Sequence, residues 1–205
     1  MPVNVAKTAG FCFGVKRAVD AVYEAHKEGR KIATLGDVIH NRQVIEDLES
    51  KGIYSYDDVS DIPEDCTVII RAHGVGKDVY EKLGDRPYID LTCPFVSKIH
   101  KIVEKHYNDG YKIIIVGDAT HPEVIGINGW CNYEADIIDS ESQEVINDYG
   151  NLKICVVAQT TIKKNNFVHI VQKLKKTCKS TIEFDTICSA TICGIFWQKS
   201  SAAAK

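Results

Sequence analysis

The chain has 205 residues, 44% of them hydrophobic, which is enough to bury a core as one domain or as two small ones. A formal net charge of −3 and a pI near 6.2 argue against a nucleic-acid or membrane-surface partner. No segment approaches the ~20 consecutive apolar residues that span a bilayer.

The opening, Met1-Pro2-Val3-Asn4-Val5-Ala6, has no basic region ahead of an apolar core, so no secretory signal is read there and a cytoplasmic location is expected. Residues 3–6 read as a short strand. Residues 15–27 carry apolar side chains at 15, 18, 19 and 22, a helical spacing. A strand over 31–35 runs into Gly36-Asp37, and a helix over 43–50 is closed by Gly52. Thr67–Ile70 reads as a strand that runs into Arg71-Ala72-His73-Gly74. A short strand at 88–89 precedes a helix over 95–108, with Pro94 at its favoured first position. A strand over 113–116 runs into Gly117-Asp118, and a helix is expected over 141–148. A strand over 154–158 runs into Gln159-Thr160-Thr161, a lysine-rich solvated helix follows over 163–176, and a last strand covers 181–184. Alternating strands and helices predict an α/β protein with parallel sheets.

An internal repeat sorts the eight cysteines. Residues 12–40 align without a gap on residues 93–121. Nine positions are identical, among them Cys12/Cys93, Gly36/Gly117, Asp37/Asp118 and His40/His121. A third start is read at Cys188, because Asp185-Thr186-Ile187-Cys188 follows a strand as Asp90-Leu91-Thr92-Cys93 does. Cys66 and Cys155 read as core residues, and Cys131 and Cys178 as packing or surface residues. In a reducing compartment none is expected in a structural disulfide.

The polar clusters at 36–40, 71–74, 117–121 and 159–161 each follow an apolar strand directly. Open α/β sheets bind ligands outside the carboxyl ends of their strands. His40, His73 and His121 are therefore expected to face one pocket, unlike His26, His100, His106 and His169 on helices. Cys12 and Cys93 precede helices, where free N–H groups and the helix dipole are expected to favour a thiolate. Three thiolates at the starts of three units suit one [4Fe–4S] cluster per chain with one iron left for substrate. Zinc is the competing metal, but structural zinc sites bring cysteines in close pairs, and the chain has no Cys-x-x-Cys. A single nucleophilic cysteine would leave the threefold recurrence unexplained.

Gly10-Phe11-Cys12-Phe13-Gly14-Val15, Arg71-Ala72-His73-Gly74-Val75, Asp90-Leu91-Thr92-Cys93-Pro94, Gly117-Asp118-Ala119-Thr120-His121-Pro122-Glu123-Val124, Gln159-Thr160-Thr161 and Thr186-Ile187-Cys188-Ser189-Ala190-Thr191 resemble the 4-hydroxy-3-methylbut-2-enyl diphosphate reductase family. The resemblance runs from about residue 3 to 191. It implies a three-lobed, pseudo-threefold arrangement of parallel-sheet α/β units around a [4Fe–4S] cluster on Cys12, Cys93 and Cys188. It implies reductive dehydroxylation of a diphosphate substrate to isopentenyl and dimethylallyl diphosphates, with electrons from ferredoxin or flavodoxin. By the same resemblance His40, His73 and His121 bind the diphosphate and Glu123 delivers the proton. His121 and Thr160 act beside Glu123, Thr160 also touches substrate, and Thr191 lies beside the pocket.

The lobes are expected at 13–93 and 94–185, with 1–12 and 186–205 as the remnant of a third, mostly missing lobe. After Thr191 the sequence Ile192-Cys193-Gly194-Ile195-Phe196-Trp197-Gln198-Lys199 departs from the family's Thr-x-x-Arg-Gln stretch. A truncated chain of reduced activity is the expectation, and a non-catalytic remnant or binding module of the same fold is the alternative.

Overall fold

In the computed structural model, residues 10–139 and 149–192 are described, the last two by their backbone alone. The expected strand at 3–6, the expected helix at 141–148 and the tail beyond 192 lie outside the described residues.

Apolar runs of four to six residues supply strands that can be buried on both faces, as parallel sheets require. The first sheet holds β1 (Ile32–Leu35), β2 (Ser55–Tyr56), β3 (Thr67–Ile70) and β4 (Tyr88–Asp90), in the order β2-β1-β3-β4. The second holds β5 (Lys112–Val116), β6 (Asp136–Ile138), β7 (Lys153–Ala158) and β8 (Ser180–Phe184), in the order β6-β5-β7-β8. Every pairing is parallel. Leu35 lies opposite Ile70 in the first sheet, and Val116 opposite Ala158 in the second. Among the described residues there is no third sheet.

Seven helices connect the strands: α1 (Phe13–Lys27), α2 (Arg42–Ser50), α3 (Lys77–Leu83), α4 (Pro94–Asn108), α5 (Pro122–Asn128), α6 (Lys164–Thr177) and α7 (Ser189–Ile192), as counted among the described residues. The short elements β2, α3 and β6 are additions to the sequence reading, which assigned no element to them. Alternating side chains of each strand feed two cores. Ile32 and Ile69 pack with Ala18 and Val22 of α1 and Leu48 of α2. Ala33, Leu35, Val68 and Ile70 pack on the other face with Val75 and Leu83. In the second sheet Ile113, Ile115, Cys155 and Val157 meet Ile99 and Val103 of α4 and Val124 and Ile127 of α5. Ile114, Val116, Ile154 and Val156 meet Phe167, Ile170 and Leu174 of α6. Cys131 and Cys178 are buried rather than at the surface. No described helix is long and apolar enough to cross a membrane.

In each sheet the chain leaves two adjacent strands in opposite directions, β1 with β3 and β5 with β7. That is the switch point at which an α/β sheet opens a crevice. The two sheets touch near it, where Trp130 Nε1 donates to the Val75 carbonyl at 3.0 Å.

Candidate functional site

All four polar clusters expected at strand ends lie at the switch points. His40 follows β1, His73 follows β3, His121 follows β5, and Thr160 follows β7. The three imidazoles form one cluster, with ring centroids 4.6 Å apart for His40–His73, 5.7 Å for His40–His121 and 5.4 Å for His73–His121. One nitrogen from each lies within 4.8 Å of the other two. Burial, followed by the neighbouring charges of His40, His121 and Arg71, pushes the His73 pKa down to about 3. Burial likewise lowers His121. Both shifts favour the neutral ring when nothing anionic is bound. His121 caps α5, its Nδ1 accepting from the Glu123 N–H at 3.1 Å, so Nε2 carries the proton toward the other rings.

Arg71 was not singled out from sequence, although its motif was. Its guanidinium lies over Gly36: a Cβ there would sit 2.0 Å from Nη1. Gly36 also has φ +69°, so it is required twice, for its backbone and for the space it leaves to Arg71. Arg71 Nε and His73 Nδ1 are both buried without a hydrogen-bond partner. The orphaned Arg71 Nε–H, part of a partly buried cation, calls for an acceptor oxygen, because an unmade buried hydrogen bond costs about 1–3 kcal/mol. Neutral imidazoles with an arginine suit an oxyanion. A divalent cation would be repelled by the same guanidinium.

Glu123, in the first turn of α5, is 2% exposed. Its carboxylate accepts from the Thr160 N–H at 2.6 Å and from Thr160 Oγ1 at 2.7 Å. Burial raises its pKa and the two Thr160 bonds pull against that rise. The pairing ties the ends of β5 and β7 together. Gln159 supports it, accepting from the Asp118 N–H through Oε1 and donating from Nε2 to Thr161 Oγ1. Sequence reasoning placed Gln159 at a strand end but gave it no role.

The cysteines connect to the same region through the backbone. Cys188 N–H donates to the Thr160 carbonyl at 2.9 Å, and Cys93 N–H donates to the Ala72 carbonyl, next to His73, at 2.9 Å. Cys12 and Cys93 stand just before α1 and α4 as their N-caps. The start of α1 lies against Cys93: a Cβ on Gly14 would come within 2.7 Å of Cys93 Sγ. Arg17 of α1 fastens this approach by donating to the carbonyls of Leu91 and Thr92 at 2.9 and 2.6 Å. All three cysteines are free and partly exposed. Burial raises the Cys93 pKa, the N–H groups of Phe95 and Val96 oppose it, and nearby Cys12 and Cys188 raise it further. This corrects the expected thiolate. The helix start does favour charge on Cys93, but burial and two adjacent thiols outweigh it.

One tetrahedral ion with metal–sulfur bonds of ~2.3 Å would bring its sulfurs within about 4 Å of one another. Among the described residues the three histidines meet a single-ion spacing and these three cysteines do not. Thiols that sense each other at a wider spacing fit a polynuclear iron–sulfur group better than zinc. The side chain of Thr191 lies outside the described residues. Its backbone belongs to α7, which follows Cys188.

The LytB protein family matches residues 3–193. The 4-hydroxy-3-methylbut-2-enyl diphosphate reductase of Clostridioides difficile (strain 630) is 45% identical over 195 residues, covering 93% of this chain and 70% of its own length. That of Clostridium perfringens (strain SM101 / Type A) is 48% identical over 194 residues, covering 92% and 68%. A solved (E)-4-hydroxy-3-methyl-but-2-enyl diphosphate reductase, described as the terminal enzyme of the non-mevalonate pathway, superposes with a TM-score of 0.76 at 36% identity. It covers 93% of this chain and 69% of that one. The Plasmodium falciparum reductase structure gives 0.79 at 32%, covering 91% and 60%. Two parallel-sheet units are seen among the described residues, and the chain spans about two thirds of the length of these relatives. The chain belongs to the LytB protein family.

Proposed function

We propose that the chain carries the catalytic centre of a 4-hydroxy-3-methylbut-2-enyl diphosphate reductase. In this reading Cys12, Cys93 and Cys188 hold a [4Fe–4S] cluster, and the products are isopentenyl and dimethylallyl diphosphates. The observation that carries it is the continuity from Cys188 through Thr160 to Glu123 and His121, which joins a thiol site, a buried acid and an anion cradle.

The net reaction breaks one C–O bond and forms one C–H bond. It consumes two electrons and two protons and releases water. The cluster would supply the electrons singly and offer a Lewis-acidic iron to the hydroxyl. The protein residues do the rest. His40, His73, His121 and Arg71 would hold the diphosphate and so fix the allylic end toward Glu123. Glu123, with its pKa raised by burial, would keep a proton for the departing hydroxyl, which is a poor leaving group as hydroxide. Thr160 would orient that carboxyl, and its bonds limit how far the pKa climbs. Single electrons would come from a ferredoxin or flavodoxin.

The cradle is testable without turnover. Inorganic pyrophosphate should bind the chain in calorimetry, and Arg71→Met should weaken that binding about tenfold to a hundredfold through loss of a charge-assisted contact. Zinc binding that excludes pyrophosphate and tightens in Arg71→Met would instead make the histidines a metal site.

A further inference from the structure

We propose that an acidic, one-electron carrier protein docks on the exposed face of α4 beside Cys93. This inference rests on the reductase reading. It concerns where the electrons enter.

Thr92 and Pro94, the two neighbours of Cys93, both line an open surface cavity of about 440 Å³. Arg17, Lys98 and Lys101 line it too, against a single carboxylate, Asp90. That carboxylate is exposed and accepts from the Tyr80 hydroxyl at 2.9 Å and the Thr92 N–H at 2.8 Å, so three cations share the cavity with one anion. Among the described residues Arg17 donates to carbonyl oxygens and is paired with no carboxylate. Lys98, Lys101 and Lys105 are exposed along one stripe of α4 at i, i+3 and i+7, and among the described residues none is paired with a carboxylate. Elsewhere most surface lysines are paired, as in Lys77–Glu104 and Lys175–Glu183. A concentrated positive field on a chain of net charge −3 is therefore local to this face.

Aromatic side chains flank the same thiols. Phe13 is 69% exposed beside Cys12, and Phe95 is 48% exposed next to Pro94. A cationic cavity suits a small acidic partner that associates fast and leaves readily. Such encounters belong to the low end of interface sizes. The position also fits electron transfer, since a carrier seated over Thr92 and Pro94 is one residue from a proposed cluster ligand. Two successive carriers would each be oxidised by one electron. Those electrons, with two protons, replace the substrate's C–O bond by C–H and release the hydroxyl as water.

The test compares the parent chain, the double variant Lys98→Glu with Lys101→Glu, and a control, Lys176→Glu with Lys179→Glu. The control makes the same charge change around the end of α6, on the opposite face of the second sheet. Binding of a recombinant acidic [2Fe–2S] ferredoxin is measured by calorimetry at low and high salt, and cluster uptake is followed by visible absorbance. The α4 variant should bind at least about tenfold more weakly and lose most of its salt dependence, while the control and all cluster spectra stay at parent values. Equal affinity in the α4 variant and the parent, or no parent binding at all, overturns the docking site. Absence of a cluster spectrum in the parent overturns the reductase reading as well, so the two failures are separable.

Discussion

Glu123→Gln is expected to lower turnover of 4-hydroxy-3-methylbut-2-enyl diphosphate by about 10²- to 10⁴-fold relative to the parent chain, with little change in KM. The substitution keeps the packing of a side chain that is 2% exposed. It also keeps both contacts to Thr160. The amide oxygen accepts from the Thr160 N–H, and the amide nitrogen donates to Thr160 Oγ1, which can act as acceptor. What it removes is the titratable proton. The diphosphate cradle, built from other strand ends, remains. Steady-state assay with a chemical reductant, together with a thermal melt, checks the expectation. A parent-level kcat would take Glu123 out of the chemistry, and a collapsed melt would make it structural.

Acid should destabilise the chain well above the range in which its carboxylates titrate. His100 on α4 is 3% exposed and stacks on Trp130 at 5.1 Å, with Nε2 buried and unpartnered. Burial pushes its pKa down to about 4, with Asp90 pulling partly the other way. In the unfolded chain the group titrates near 6.5. Between these values the unfolded state binds the extra proton, so stability falls as pH falls through about 6.5 and stops falling below about 4. At pH 5 the loss is about 2 kcal/mol, or roughly 4–8 °C in Tm for a chain of this size. His100→Phe keeps the stack and removes the titration. It should shrink the drop in Tm between pH 7 and pH 5 by that amount. His73 adds a loss of the same sign and the raised Glu123 one of the opposite sign, and both are common to the two proteins. Identical pH dependence in the two proteins would contradict this role for His100.

The sequence repeat pointed to the candidate site because its side chains sit where a strand ends or a helix starts, and those junctions recur. Cys12 and Cys93 cap equivalent helices, and His40 and His121 follow equivalent strands, β1 and β5. Other features leave no such trace. β2 is two residues long and β6 three, too short for an alternation to show. Arg71 is a lone arginine in sequence, and its place in the cradle depends on Gly36 lacking a side chain. The thiolate argument for Cys93 failed because local helix geometry says nothing of how deeply the sulfur is buried or which thiols stand beside it. The basic stripe of α4 is readable as a spacing, but its lack of carboxylate partners among the described residues is visible only in the fold.

Three thiols from distant parts of the chain are held at the mouths of two sheets, near a buried acid and a histidine cluster. Anaerobic reconstitution followed by iron and acid-labile sulfide analysis, on the parent and on Cys93→Ser, reads their purpose directly. About four irons and four sulfides per parent chain are expected, with both largely lost in Cys93→Ser. A colourless parent, or one metal ion per chain that survives Cys93→Ser, would contradict a shared cluster.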